Sequence, residues 1–123
     1  AGLLAGVTYV QKRGMANICL RERQLAQLAA EGLREMPGVR VYALPDLAAQ
    51  VGVVSFTVEG KDVEEIGAGL AKAGIAVRAG LHCAPYAHRT AGTLDSGTVR
   101  FSFSPFNCLE DVSLCCRFIK DLL

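Results

Sequence analysis

Apolar residues at helical spacing dominate the first part of the chain. Residues 1–13 are mostly small or apolar and end at Gly14, where a left-handed helix C-cap is expected. A second helix is predicted over residues 16–36, because its apolar side chains form one stripe, and Pro37 and Gly38 end it. Because no N-cap residue precedes the first helix, we expect it to be the end of a longer one.

Alternation of apolar and polar residues predicts four strands. They span residues 39–43, 51–58, 75–79 and 99–103. In the last strand, Val99 and Phe101 lie on one face and Arg100 lies on the opposite face. A charged side chain is thereby predicted on the face of the sheet that does not form the hydrophobic core.

Two further helices and one long loop complete the pattern. Asp62 can cap a helix that Gly74 closes, and Asn107 with Glu110 matches a capping box that opens the last helix. The buried side of the last helix is predicted to carry Val112, Cys115, Cys116 and Ile119. Residues 80–97 show no sustained period, and a loop of this length within a domain is usually functional. The order of elements predicts an α+β fold, with helices packed on one face of a mainly antiparallel sheet.

Composition narrows the class of protein. With 123 residues and 13.1 kDa the chain has the size of one domain, and its 51% hydrophobic content excludes intrinsic disorder. The formal net charge is +1 without any basic block, so no nucleic-acid-binding surface is expected. No apolar run approaches the roughly 18 residues of a membrane span. We expect a soluble domain that binds neither nucleic acid nor membrane.

Cysteine usage points to a reducing compartment. The chain has five cysteines, an odd number, without a Cys-x-x-Cys pair or a secretory leader, so free thiols in the cytoplasm are expected. Cys19, Cys115 and Cys116 lie in helical patterns, where a free cysteine is usually a small buried hydrophobe. Cys83 differs because it lies in the long loop.

The residues around Cys83 allow three interpretations. A thiol becomes a nucleophile when it is partly exposed and nearby cations stabilise its thiolate, and Arg78, His82 and His88 could supply that charge. The second interpretation is a buried free cysteine with two incidental histidines. The third is a zinc site formed by His82, Cys83 and His88, for which the sequence offers no plausible fourth ligand.

A longer segment carries a family resemblance. The stretch IAVRAGLHCAPYAHRTAGTLDSGTVRFSFSPFN contains an R-x-G-x-H-C motif over residues 78–83, a Val-Arg pair ending at Arg100, and a helix start at Phe106-Asn107. It resembles the C-terminal region of the class V, fold-type I aminotransferases, and among them the group II (Suf-type) cysteine desulfurases and selenocysteine lyases. The resemblance implies the small C-terminal domain of a pyridoxal phosphate (PLP) enzyme, and the predicted order of elements suits that domain.

The resemblance implies roles for individual residues. Cys83 falls where the family has the catalytic cysteine that attacks the substrate sulfur and becomes a persulfide. Arg100 falls where an arginine binds the substrate carboxylate, a task that suits the guanidinium fork. Arg78 is expected to shape or charge the substrate-binding site, and His82 to act beside Cys83 as a proton shuttle or in loop geometry. His88 is expected to be a solvated loop residue.

The resemblance also implies what this chain lacks. In the family, a lysine of the large domain binds PLP, and none of the four lysines here lies in that motif: Lys12, Lys61, Lys72 and Lys120. We therefore expect no cofactor-binding residue and no metal site in this chain. Residues 1–14 are expected to be the end of a helix from the large domain or a linker, and residues 15–123 the small domain, inactive in isolation.

The implied parent enzyme takes sulfur or selenium from L-cysteine or L-selenocysteine, passes it to a possible acceptor protein, and works as a homodimer. Another class V lyase or transferase reaction remains open. So does a stand-alone α+β module, without PLP, that carries sulfur or binds a partner. A cysteine hydrolase that uses Cys83 with His82 or His88 lacks an evident orienting residue.

Overall fold

The computed structural model describes residues 1–46 and 49–123. Five helices and three strands follow one another along the chain. They are α1 (Gly2–Arg13), α2 (Met15–Arg34), β1 (Val39–Tyr42), β2 (Val53–Val58), α3 (Val63–Lys72), α4 (Pro85–Ala91), β3 (Val99–Ser102) and α5 (Leu109–Leu122). The break between α1 and α2 lies at Gly14, as the sequence predicted. Its φ of +83° favours glycine, but its ψ of +126° lies outside the left-handed helical region that was expected of this C-cap.

The three strands form one antiparallel sheet in the order β1-β2-β3. Val41 pairs with Phe56 across the first ladder, and Ser55 pairs with Arg100 across the second. Burial alternates along β2, where Val54 and Phe56 face the core and Ser55 lies on the other face. The α+β class and the antiparallel sheet are therefore confirmed.

The hydrophobic core lies between the sheet and α2, α3 and α5. Its largest fully buried side chains include Leu25 of α2, Phe56 of β2, Leu70 of α3 and Ile119 of α5. Burying such a side chain stabilises the fold by roughly 1.5–3 kcal/mol. Cys115 belongs to this core, and burial raises the pKa of its thiol to about 11. It is thus a buried hydrophobe, as its helical position predicted.

Helix starts follow the sequence closely. Asp62 caps α3 by accepting hydrogen bonds on Oδ1 from the backbone N–H groups of Glu64 (2.7 Å) and Glu65 (3.2 Å), as predicted. The last helix begins one residue later than predicted, because its capping box joins Cys108 to Asp111. The Asn107 side chain instead accepts hydrogen bonds in the preceding turn, from the backbone and side chain of Ser104. On α5, Cys116 is half-buried rather than in the core.

Two segments differ from the prediction. Residues 75–79 form no strand, and only Arg78 makes a bridge, with Arg100. Helix α4 lies inside the segment predicted to be a loop. The sequence pattern did not reveal this helix because its seven residues are too few to show a helical period. Pro85 at its first turn and Gly92 in the left-handed conformation at its end are nevertheless typical helix boundaries.

Helix α1 has no buried residue, and its Tyr9 ring stacks on Phe106 at 5.2 Å between centroids. Leu3, Leu4 and Val7 of the same helix are exposed. Among the described residues, no helix has both the length and the apolar character needed to cross a membrane.

Candidate active site

Backbone hydrogen bonds hold the two ends of the segment from Gly80 to Gly97 together. Arg78 and Arg100 exchange backbone hydrogen bonds of 3.3 and 2.7 Å, and Gly80 and Thr98 exchange two of 3.1 Å. The residues before the segment therefore run antiparallel to the start of β3. This pairing brings both ends of the loop to one edge of the sheet, as in compact functional loops.

Cys83 lies at the tip of a tight turn. The carbonyl of Leu81 accepts a hydrogen bond of 2.9 Å from the N–H of Ala84, and the two residues between them have positive φ, +52° for His82 and +59° for Cys83. Both central residues of a type I′ turn have positive φ, which costs of order 1 kcal/mol or more for a non-glycine residue. The thiol is free and exposed, so the interpretation of Cys83 as a buried cysteine is wrong.

His82 is held by the start of β3. Its Nε2 is hydrogen-bonded to the hydroxyl of Thr98 at 3.1 Å. Its Nδ1 is buried and has no hydrogen-bond partner among residues 1–46 and 49–123. Burial lowers the pKa of the ring, and its electrostatic interactions with Arg100 and His88 lower it further. The neutral imidazole is therefore favoured beside Cys83.

His88 is buried, with 6% of its surface exposed, so its assignment as a solvated residue is wrong. Its Nδ1 is hydrogen-bonded to the hydroxyl of Thr93 at 2.7 Å. Its ring lies 5.6 Å from that of His82, centroid to centroid. The helix that the sequence pattern missed, α4, carries this ring, which lines a cleft together with Tyr42 and Ser55 of the sheet.

Arg100 lies on the face of the sheet opposite the core, as the alternation predicted. Since Ser55 and Arg100 pair across the ladder, their side chains share that face. The same face carries a cleft of about 150 Å³ lined by Tyr42, Ser55 and His88 among others. The Nε of Arg100 is buried, and none of the described residues accepts a hydrogen bond from it. An unpaired buried N–H is costly, and a carboxylate is the partner that a guanidinium binds best.

Arg78 is exposed and lies directly across the bridge from Arg100. Residues that exchange both backbone hydrogen bonds carry their side chains on the same face. The positive charge of Arg78 also lowers the pKa of His82. The structure thus gathers Arg78, His82 and Arg100 around the turn that carries Cys83.

Sequence reasoning missed Thr93 and Thr98, the two hydroxyl groups that hold the histidines. Both are buried, with 3% of their surface exposed. The sequence offered only a weak indication of their role. The two threonines flank residues 94–97, whose Asp, Ser and Gly are typical of a turn.

No lysine lies in the segment that forms the site. The four lysines are exposed and lie on α1, after β2, on α3 and on α5. The residues of this site therefore do not fit the covalent attachment of an aldehyde cofactor such as PLP. Within residues 1–46 and 49–123, no group of three or more His, Cys, Asp or Glu side chains is placed to hold a metal ion.

Comparison with known proteins identifies the family. The model of the class V aminotransferases matches residues 1–114, so the chain belongs to that family. It is similar to cysteine desulfurases in particular, both in sequence and in structure.

Among curated proteins, "Probable cysteine desulfurase" of Mycolicibacterium paratuberculosis is 37% identical over 97% of this chain, and "Cysteine desulfurase" of Synechococcus elongatus is 38% identical over 97%. The apo structure of a cysteine desulfurase from Thermococcus onnurineus superimposes with a TM-score of 0.91 at 36% identity, over 98% of this chain. The chain spans 17%, 18% and 30% of these three proteins, respectively.

Proposed function

We propose that this chain is the small domain of a cysteine desulfurase, with Cys83 as the residue that receives sulfur and Arg100 as the residue that binds the substrate carboxylate. Two observations carry the proposal: the thiol of Cys83 is exposed, and the Nε of Arg100, whose charge acts on the neighbouring His82, has no hydrogen-bond partner among the described residues. The similarity to cysteine desulfurases over nearly the whole chain supports it.

The same proposal assigns residues 15–123 to the small domain and residues 1–14 to the end of a helix from a larger domain. Two observations support this division. The chain spans less than a third of its relatives, and α1 exposes apolar side chains without burying any. We further propose that the full protein is a homodimer that passes its sulfur to an acceptor protein. A reducing location such as the cytoplasm suits its five free cysteines.

The chemistry assigned to Cys83 is a sulfur transfer. The Cys83 thiolate attacks the sulfur atom of L-cysteine, an S–S bond forms, and the C–S bond breaks with its electron pair remaining on the substrate carbon. That carbon takes a proton and the product is alanine, while Cys83 carries a persulfide. An exposed thiol at the tip of a turn can reach a substrate that a buried thiol cannot.

The breaking of this C–S bond requires an electron sink, which PLP supplies in the family that the sequence resembles. Since the site residues of this chain offer no lysine, the proposal places the cofactor on another part of the protein. Arg100 would bind the substrate α-carboxylate bidentately, and Arg78 would add positive charge on the same face. L-selenocysteine carries the same carboxylate and remains an alternative substrate.

The geometry favours loop positioning as the role of His82. Its Nε2 is engaged by the Thr98 hydroxyl, and its lowered pKa favours the neutral ring. A group held in this way fixes the backbone beside Cys83.

The test uses the full-length gene product, loaded with PLP and supplied with L-cysteine and a dithiol reductant. Cys83→Ser should abolish sulfide release while the visible absorbance of bound PLP stays unchanged. Cys19→Ser, which alters a half-buried thiol on α2, is the matched control and should release sulfide at the wild-type rate. Sulfide release by Cys83→Ser at the wild-type rate would remove Cys83 from the reaction.

A further inference from the structure

We propose that His88 is a positioning residue that holds the Cys83 turn in the geometry required for sulfur transfer. This inference rests on the proposed function and deepens it, because it names a residue that acts on the nucleophile without touching the substrate. It is carried by four contacts of one buried side chain and its backbone.

The first two contacts are backbone hydrogen bonds that join both ends of α4. The N–H of His88 donates to the carbonyl of Ala84, the residue directly after Cys83, at 3.2 Å. The carbonyl of His88 accepts from the N–H of Thr93 at 2.8 Å. His88 therefore links the Cys83 turn to the return segment of the loop.

The other two contacts are made by the imidazole. Its Nδ1 is hydrogen-bonded to the Thr93 hydroxyl at 2.7 Å, and its ring lies against that of His82 at 5.6 Å between centroids. His82 is in turn hydrogen-bonded to Thr98. Two histidines and two threonines thus bracket the turn, and we call this set the His–Thr brace.

Burial makes the brace effective. His88, Thr93 and Thr98 expose 6%, 3% and 3% of their surfaces. Water therefore competes little for the hydrogen bond between His88 and Thr93, and losing either partner leaves the other unsatisfied. Cys83 itself is exposed, so burial of its own side chain contributes little to holding it in place.

A strained turn needs such support from outside. His82 and Cys83 both have positive φ, a conformation that persists only when the surroundings enforce it. If the brace loosens, the turn can relax and displace the sulfur atom. A displacement of about 1 Å at a reacting group can slow a reaction about a hundredfold.

The chain offers matched variants for the test. His88→Asn places an amide group near the position of Nδ1, whereas His88→Gln places it near Nε2, away from Thr93. Thr93→Val removes the hydroxyl at nearly constant volume. Thr90→Val removes another α4 hydroxyl, which is exposed and donates to the carbonyl of Tyr86, and serves as the control.

In the full-length, PLP-loaded protein, His88→Gln and Thr93→Val should lower kcat for sulfide release by about tenfold or more, with KM for L-cysteine and PLP absorbance unchanged. His88→Asn should keep kcat within about threefold of the wild-type value, and the control Thr90→Val should have the wild-type kcat. Hydrogen exchange at residues 81–93 should accelerate in the two impaired variants alone. This last readout does not require desulfurase activity.

Three outcomes would overturn the inference. In the first, His88→Gln keeps the wild-type kcat. In the second, His88→Gln and His88→Asn lose kcat equally, so that the Nδ1 contact is irrelevant. In the third, both impaired variants fail to fold or to bind PLP, which makes His88 a folding residue. A different result would contradict the proposed function alone. In that result Cys83→Ser still releases sulfide, while hydrogen exchange at residues 81–93 accelerates in His88→Gln and Thr93→Val.

Discussion

Gly97 and Gly80 touch backbone to backbone at the neck of the Cys83 loop. A Cβ atom on Gly97 would lie 2.7 Å from the Cα of Gly80 and 2.9 Å from its carbonyl oxygen. Gly97 also has a φ of +68°, which favours glycine. The loop can close in this way because Gly97 has no side chain at this point.

Gly97→Ala should therefore destabilise the fold by more than its backbone conformation alone requires. Gly92→Ala is the matched control, since Gly92 has a φ of +71° and no atom within 4 Å of its Cβ position. We expect about 1 kcal/mol for Gly92→Ala and a further 1–3 kcal/mol, roughly, for Gly97→Ala because of the overlap. Urea denaturation measures both, and equal losses would show that the loop neck can widen freely.

Arg100→Lys should raise KM for L-cysteine about tenfold or more, because an ammonium keeps the charge but cannot bind a carboxylate bidentately. PLP binding should stay intact. The control is Arg89→Lys on α4, an exposed arginine whose guanidinium lies 5.5 Å from the centroid of the Tyr86 ring. Steady-state kinetics of the full-length protein decide the question, and an unchanged KM would mean that another group binds the carboxylate.

His82 should make stability depend on pH. Its pKa in the folded protein is lowered from 6.5, first by burial and then by electrostatic interactions with Arg100 and His88, so the unfolded chain binds the proton more readily. The contribution of His82 is fully present above pH 6.5 and is lost as the pH falls from there to the lowered folded pKa.

Urea midpoints at about pH 8 and about pH 5 test this dependence in wild type and in His82→Gln, whose amide can still reach Thr98. The drop at acid pH should be smaller in the variant because it does not titrate. An NMR titration that gave His82 a pKa at or above 6.5 would contradict the prediction.

Much of this architecture is encoded locally. The position of Arg100 opposite the core follows from the two-residue period of a strand, and the Asp62 cap follows from hydrogen bonds to residues two and three positions later. Such features depend on near neighbours in sequence, so the residue pattern is sufficient to predict them. The resemblance around Cys83 likewise required only contiguous residues.

Helix α4 shows where local reasoning fails. Its boundaries, Pro85 and Gly92, are visible in the sequence, but seven residues give no measurable period. His88 was consequently assigned to solvent, although it is buried. Its ring is hydrogen-bonded to Thr93 and lines a cleft with Tyr42 and Ser55, residues distant in sequence, so its surroundings are set by the tertiary structure.

The sequence by itself determined the α+β class, the face that carries Arg100, and the candidate nucleophile Cys83, because period, capping and motif are local properties. Only the tertiary structure decided that Cys83 lies on a strained, exposed turn and that Thr93 and Thr98 hold the two histidines. The contact between His82 and Thr98 joins residues 16 positions apart. It forms where the backbone of Gly97 approaches that of Gly80 more closely than a side chain at position 97 would permit.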